Sequence, residues 1–394
     1  MSTRRITEHL RVLVEEIGAR PPGSAANRRA TDYVHGILEH TGLAVNPLPF
    51  TCRYWVPGDG TLTVGGERLA VNPNPFSQPC DVTGPLVWLR ERGELHDGAQ
   101  LRGAIVILSG ELAEQQVMPK AFPFFNPAEH QELVALLERQ EPLAVLAVSP
   151  AEERRTPVFE DGDLVFPSAT VPPSIGARLE HAEAIRLQLG GSLHAGEGVN
   201  LVGSSRGDGP RVVVSAHVDS KVTTPGAFDN AGGVAVLLAV AEAGIATFAP
   251  VDIVVFNGED HYAAPGEQVY LAATDLRRVA LNVNIDGAGL IGRDSTVAAL
   301  ACPPALEQRV GDLVESRTGW SVVEPWYESD HSIFAMQGIP SLAVTSQGVH
   351  DLLATVAHTE ADTLELVDPE RLTDVAEALL EWLPVLRTER LLDG

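Results

Sequence analysis

Three stretches decide the fold: RVVVSAHVD at 211–219, VDIVVFNGED at 251–260 and ALNVNIDGAG at 280–289. Each is an apolar, largely β-branched run that breaks abruptly into His, Asp or Glu. Such near-continuous apolar runs are strands covered on both faces of a sheet. Between them, residues 230–243 and 265–274 have helical length and composition. Further outward, Val297–Leu300 and PSLAVTS at 340–346 read as strands, and 25–40, 303–317 and 369–387 as helices. The alternation predicts an α/β fold, a three-layer α/β/α sandwich around a mostly parallel mixed sheet.

In such a sheet the chemistry gathers at the carboxyl ends of the strands. Here those ends carry His217 and Asp219, then Gly258, Glu259 and Asp260, then Asp286. Imidazole nitrogen and carboxylate oxygen are the donors of a catalytic zinc site, and a pair of metals needs a shared carboxylate. His217 suits a terminal ligand. Asp219, two residues on, is placed to orient an imidazole. Asp229 stands alone among small residues in GAFDNAGG, at a loop-to-helix junction. Adjacent Glu259 and Asp260 can divide the work, one binding metal and the other acting on water. His358 lies in a loop, AHTEADT, near the carboxyl end.

The rest of the chain narrows the class. With 394 residues, two domains are expected. Residues 50–195 have a different texture. Short β-like runs (LVWL at 86–89, AIVIL at 104–108, LAVLAV at 143–148, TVP at 170–172) are separated by Gly, Pro and Asp, with one helix near 128–140. This predicts a smaller β-rich domain inserted between 1–49 and 196–394. A formal net charge of −25 argues against nucleic acid and anionic membrane surfaces as partners, and suits a cationic substrate. No run approaches the roughly 20 apolar residues of a membrane span. The amino-terminal segment has no apolar core of a leader, and Cys52, Cys80 and Cys302 lie far apart as free thiols would. Both features predict a cytoplasmic location.

The ordered set AHVDS (216–220), GAFDNAGG (226–233), FNGED (256–260), NIDGAG (284–289), ESDHSIF (328–334), GIPS (338–341) and HTEADT (358–363) resembles the aminopeptidase Y family of dizinc peptidases. That family includes bacterial leucyl aminopeptidases, glutamate carboxypeptidase II and glutaminyl cyclases. IGARPPGSAANRRATDYV at 17–34 is similar to its opening segment. The resemblance covers residues 1–45 and 199–390, and the 50–195 module loosely resembles a protease-associated domain.

The resemblance implies two Zn2+ ions per chain. His217 and Asp286 would bind the first, Asp260 and His358 the second, and Asp229 would bridge them. Glu259 would be general base and then general acid, with Asp219 orienting His217. Tyr327 is a candidate to hydrogen-bond the developing oxyanion, and Ser329, Asp330 and His331 would be mainly structural. The activity implied is removal of amino-terminal residues from peptides. A small-metabolite amidohydrolase and a glutaminyl cyclase are the alternatives, the latter because HVDSK at 217–221, with Lys221, is similar to a cyclase segment. A carboxypeptidase would need a basic pocket, for which Arg206 and Arg293 are the candidates by chemistry. Two departures stand out. Asp260 occupies a position where the family often has glutamate, and Glu267 replaces a small serine. The stretch 117–130, rich in Pro and Phe, reads as a lid or as a packed loop.

Overall fold

The computed structural model describes residues 2–94, 100–120, 122–124, 126–153, 156–160, 164–247, 250–352 and 355–388. The chain forms two compact units, residues 1–52 with 196–394, and residues 53–195. Two long strands, Ala44–Val64 and Ala184–Ser204, carry the chain out of the first unit and back.

In the first unit, the buried strands Val251–Phe256, Arg211–His217, Val279–Ile285 and Ser341–Ser346 run parallel in that spatial order. Residues 201–204 pair antiparallel on one flank. On the other, Ser295–Leu300 pairs antiparallel with Ser341–Ser346 and parallel with Trp320–Val323. The sheet is therefore mixed but mostly parallel. Strand periodicity splits the side chains between two layers. Val251, Ile253 and Val255 join the core that holds helices Thr3–Leu10, Ala25–Leu38, Gly232–Glu242 and Pro369–Thr388. Phe256 points the other way, into an aromatic group with Tyr270 and Phe334 from helices Pro265–Ala273 and His331–Ala335.

Gly232–Glu242 is buried along almost its whole length. Its apolar, all-round composition follows from being sandwiched between the sheet and other helices. The expected helix start at 230 is corrected. Residues 227–231 form a wide irregular turn in which Asp229 and Asn230 are non-helical, and regular helix begins at Gly232. The amino-terminal helix and the strand Trp320–Val323 are additions to the expected elements.

The second unit has its own parallel strands, Cys80–Leu89, Ile105–Leu108, Ala144–Val148 and Ser168–Val171. Alternation again separates two cores. Val106, Leu108, Val145 and Ala147 face one that includes Leu133, Val134 and Leu137 of helix Ala128–Gln140. Ile105, Ile107, Ala144 and Leu146 face the other. In the stretch 117–130, residues 121 and 125 lie outside the described residues. Of the rest, Asn126 donates to the Pro119 carbonyl at 2.9 Å. No described helix is long and apolar enough to cross a membrane.

Candidate metal centre

Parallel order places the carboxyl ends of Val251–Phe256, Arg211–His217 and Val279–Ile285 side by side. Their exits deliver Glu259 with Asp260, His217 and Asp286 to one edge of the sheet. Loops bring in Asp229 and His358. Potential ligand atoms fall into three overlapping groups: His217 with Asp229 and Asp286, Asp229 with Asp260 and His358, and His217 with Glu259 and Asp260. Within each group they lie within 4.8 Å of one another.

Asp229 is the hinge of this arrangement. Its Oδ1 lies 3.2 Å from His217 Nε2, and its Oδ2 lies 3.2 Å from His358 Nε2. His217 Nε2 is also 3.6 Å from Asp286 Oδ1 and 3.8 Å from Glu259 Oε2. His358 Nε2 is 3.3 Å from Asp260 Oδ1. His217 is wholly buried, and neither ring nitrogen makes a hydrogen bond; Asp260 Oδ2 is likewise buried and unbonded. Buried polar atoms without partners are costly. Here they converge on shared points from several elements, as ligands to a divalent ion do.

The chain holds these groups by specific local devices. Gly226 takes a left-handed φ of 64° at the head of the turn that carries Asp229. Asn230 donates to the Ile285 carbonyl at 2.8 Å and accepts from Gly233 N–H at 3.0 Å. A side chain at Gly233 would sit 2.4 Å from Asn230 Oδ1, which explains the small residue there. His358 itself has a left-handed φ of 59°. Asp286 Oδ2 accepts a 2.5 Å bond from Ser329 Oγ, which in turn accepts from Asn284 Nδ2 at 2.9 Å.

Asp219 has hydrogen-bond partners besides the imidazole that it is expected to orient. Its Oδ1 is 3.8 Å from His217 Nδ1, beyond hydrogen-bond range. Its two oxygens accept from Gly258 N–H at 2.7 Å and Asp260 N–H at 3.0 Å. These bonds bracket Glu259, so Asp219 sets the backbone that presents that carboxyl. Tyr327 is 45% exposed, with its backbone N–H on Glu328 Oε2 at 2.9 Å.

Electrostatics separate the carboxyl groups. Burial, and then the charges of Asp260, Asp286 and Asp330 against an opposing His217, hold Glu259 well above the usual carboxylate range. Burial opposes a charged Asp229 too, but the close imidazoles of His217 and His358 outweigh it and lower its pKa. Burial disfavours a charged His358, yet the charge of Asp260 and bonds to Asp229 and Asp260 raise it to about 10. Glu267 is nearly inaccessible, and burial pushes it up to about 8.

Two supporting residues are missing from the reading of the sequence. Asp362 accepts from Phe228 N–H at 2.8 Å and Asp229 N–H at 3.1 Å. Arg20, fully buried, donates to the carbonyls of Val218, Pro225 and Gly226 at 2.6, 2.5 and 2.8 Å, beneath the loop leading to Asp229. Both lie inside the quoted motifs HTEADT and IGARPPGS, which was the only signal available for them.

The model of peptidase family M28 matches residues 199–383. Among curated proteins, "Probable lipoprotein aminopeptidase LpqL" of Mycobacterium tuberculosis is 25% identical over 287 residues, 68% of this chain and 55% of that protein. The chain thus spans about half the length of that relative. Among solved structures, an aminopeptidase from Aneurinibacillus sp. strain AM-1 is similar with a TM-score of 0.76 and 19% identity, covering 97% of this chain and 93% of that one. BSAP, a zinc aminopeptidase from Bacillus subtilis, is similar with a TM-score of 0.75 and 19% identity, covering 97% and 94%. These two structures share the fold.

Proposed function

We propose that the chain is a zinc-dependent aminopeptidase of peptidase family M28, whose model matches residues 199–383, and that it holds two metal ions. One observation carries this reading. The two oxygens of a single carboxylate, Asp229, face two different imidazoles at 3.2 Å each. A shared carboxylate between two histidine-containing groups is what a pair of cations needs. His217, Asp229 and Asp286 would hold one ion, and Asp229, Asp260 and His358 the other. The donors fit zinc, which takes imidazole nitrogen and carboxylate oxygen.

Zinc bound there would lower the pKa of water toward neutrality and polarise a carbonyl. The chain's own groups do the rest. Glu259 accepts the proton of the attacking water and keeps it in a largely buried setting. It then passes that proton to the leaving amine. Asp219 keeps Glu259 aimed through its bonds to Gly258 and Asp260. The surplus of carboxylates at this edge favours a substrate with a free, protonated α-amine.

The test is a panel of aminoacyl-nitroanilides beside their N-acylated analogues, run on zinc-loaded protein with Glu259→Gln as control. Free-amine substrates should turn over. The control should retain its zinc and lose about 10²–10⁴-fold in kcat/KM. Turnover of the N-acylated compounds alone would replace aminopeptidase with amidohydrolase. Full activity in the control would remove Glu259 as the base.

A further inference from the structure

Lys221 leaves the end of strand Arg211–His217 and reaches over to the loop that follows Val251–Phe256. Its Nζ donates to the Asp260 carbonyl at 2.8 Å and lies 3.6 Å from Asp260 Oδ1. That same Oδ1 is 3.3 Å from His358 Nε2. The side chain is 15% exposed, so water screens its charge poorly.

On the other side of Asp229, no Lys or Arg among the described residues pairs with Asp286. Asp286 is met by a neutral hydroxyl, that of Ser329. The two halves of the centre therefore differ in one charge. We propose that Lys221 is a positioning residue that makes the Asp229–Asp260–His358 group the weaker of two metal sites. It acts through Asp260, on whose oxygen an ammonium and a dication compete. The backbone of Asp260 does not depend on it alone, because Asp219 independently fixes Asp260 N–H at 3.0 Å. The lysine therefore contributes mainly charge.

The inference rests on the two-metal reading, and one experiment separates the two. Zinc is titrated into the metal-free full-length chain by competition with a chelator, for the parent, Lys221→Gln and Lys221→Arg. The parent should bind two ions in unequal steps. Lys221→Gln, which removes the charge and keeps a donor, should tighten the weaker step by at least about tenfold and leave the stronger one in place. Lys221→Arg, which keeps the charge, should match the parent. An unchanged or weakened second step in Lys221→Gln overturns the proposal while the two-site reading stands. A single step in the parent that no variant splits overturns the two-site reading and this proposal with it.

Discussion

The two units of this chain solve the same packing problem and end their strands differently. Both contain adjacent parallel strands buried along their length, with side chains alternating between two cores. In the 53–195 unit, strands Cys80–Leu89, Ile105–Leu108, Ala144–Val148 and Ser168–Val171 exit into Arg90, Ser109, Ser149 and Pro172. Acids come later there, and Glu111 and Glu152 are spent on the surface. Glu111 pairs with Arg92 at 2.9 Å, and Glu152 accepts from Ser174 N–H at 3.1 Å. In the other unit the exits are His217, Glu259, Asp260 and Asp286, which are buried or nearly so and face one another. Parallel topology alone thus carries no chemistry. What distinguishes the functional edge is that several carboxylates and an imidazole are held inside and face one another.

That contrast can be broken most severely at Asp229. Asp229→Ala removes the carboxylate whose two oxygens face His217 and His358. Zinc content, measured by elemental analysis after gel filtration, should fall below one ion per chain, and kcat/KM by more than about a hundredfold. Two ions retained per chain would show that Asp229 does not bridge. The opposite experiment belongs to the other unit. Leu146 is fully buried between strands that end without ligands. Leu146→Ala should cost about 2–5 kcal/mol in denaturant unfolding through lost burial and the cavity left behind. The zinc content of the folded protein should not change. A loss of metal in this variant would erase the distinction between the two units.

Much of this was legible in the chain itself, for physical reasons that also set the limit. Strands 211–217, 251–256 and 279–285 stand out because burial on both faces demands near-continuous apolar runs. Their polar exits stand out by contrast. The wide turn at 227–231 was not legible, since GAFDNAGG reads equally as a helix start. Only Asn230 bonded to Ile285 and Gly233 shows why the helix waits until Gly232. Asp219 reads as serving His217 because they are two residues apart on one strand. Its bonds to Gly258 and Asp260 were not legible, since only the neighbouring strand brings those partners close. Glu267 was visible as an odd residue, and its burial was not. Trp320–Val323 is a partly exposed edge strand, so no unbroken apolar run marks it.

Asp362 offers the finest cut. It touches no residue across from Asp229 but accepts the N–H groups of Phe228 and Asp229 with its two oxygens. Burial, and then the nearby charge of Asp229, raise its pKa to about 7, so the chain holds a costly group there for those two bonds. Asp362→Asn preserves shape but leaves one oxygen to accept, and turns an amide N–H toward a backbone N–H. The turn carrying Asp229 should loosen without losing its ligand. Zinc affinity or kcat/KM should therefore fall by about 10–100-fold, less than for Asp229→Ala, with the ion count at saturating zinc still two. Isothermal titration with zinc reads this directly. An affinity equal to the parent's would mean that the turn around Asn230 holds Asp229 unaided, and that the support of this edge lies in the Asn230 bonds rather than in a buried acid.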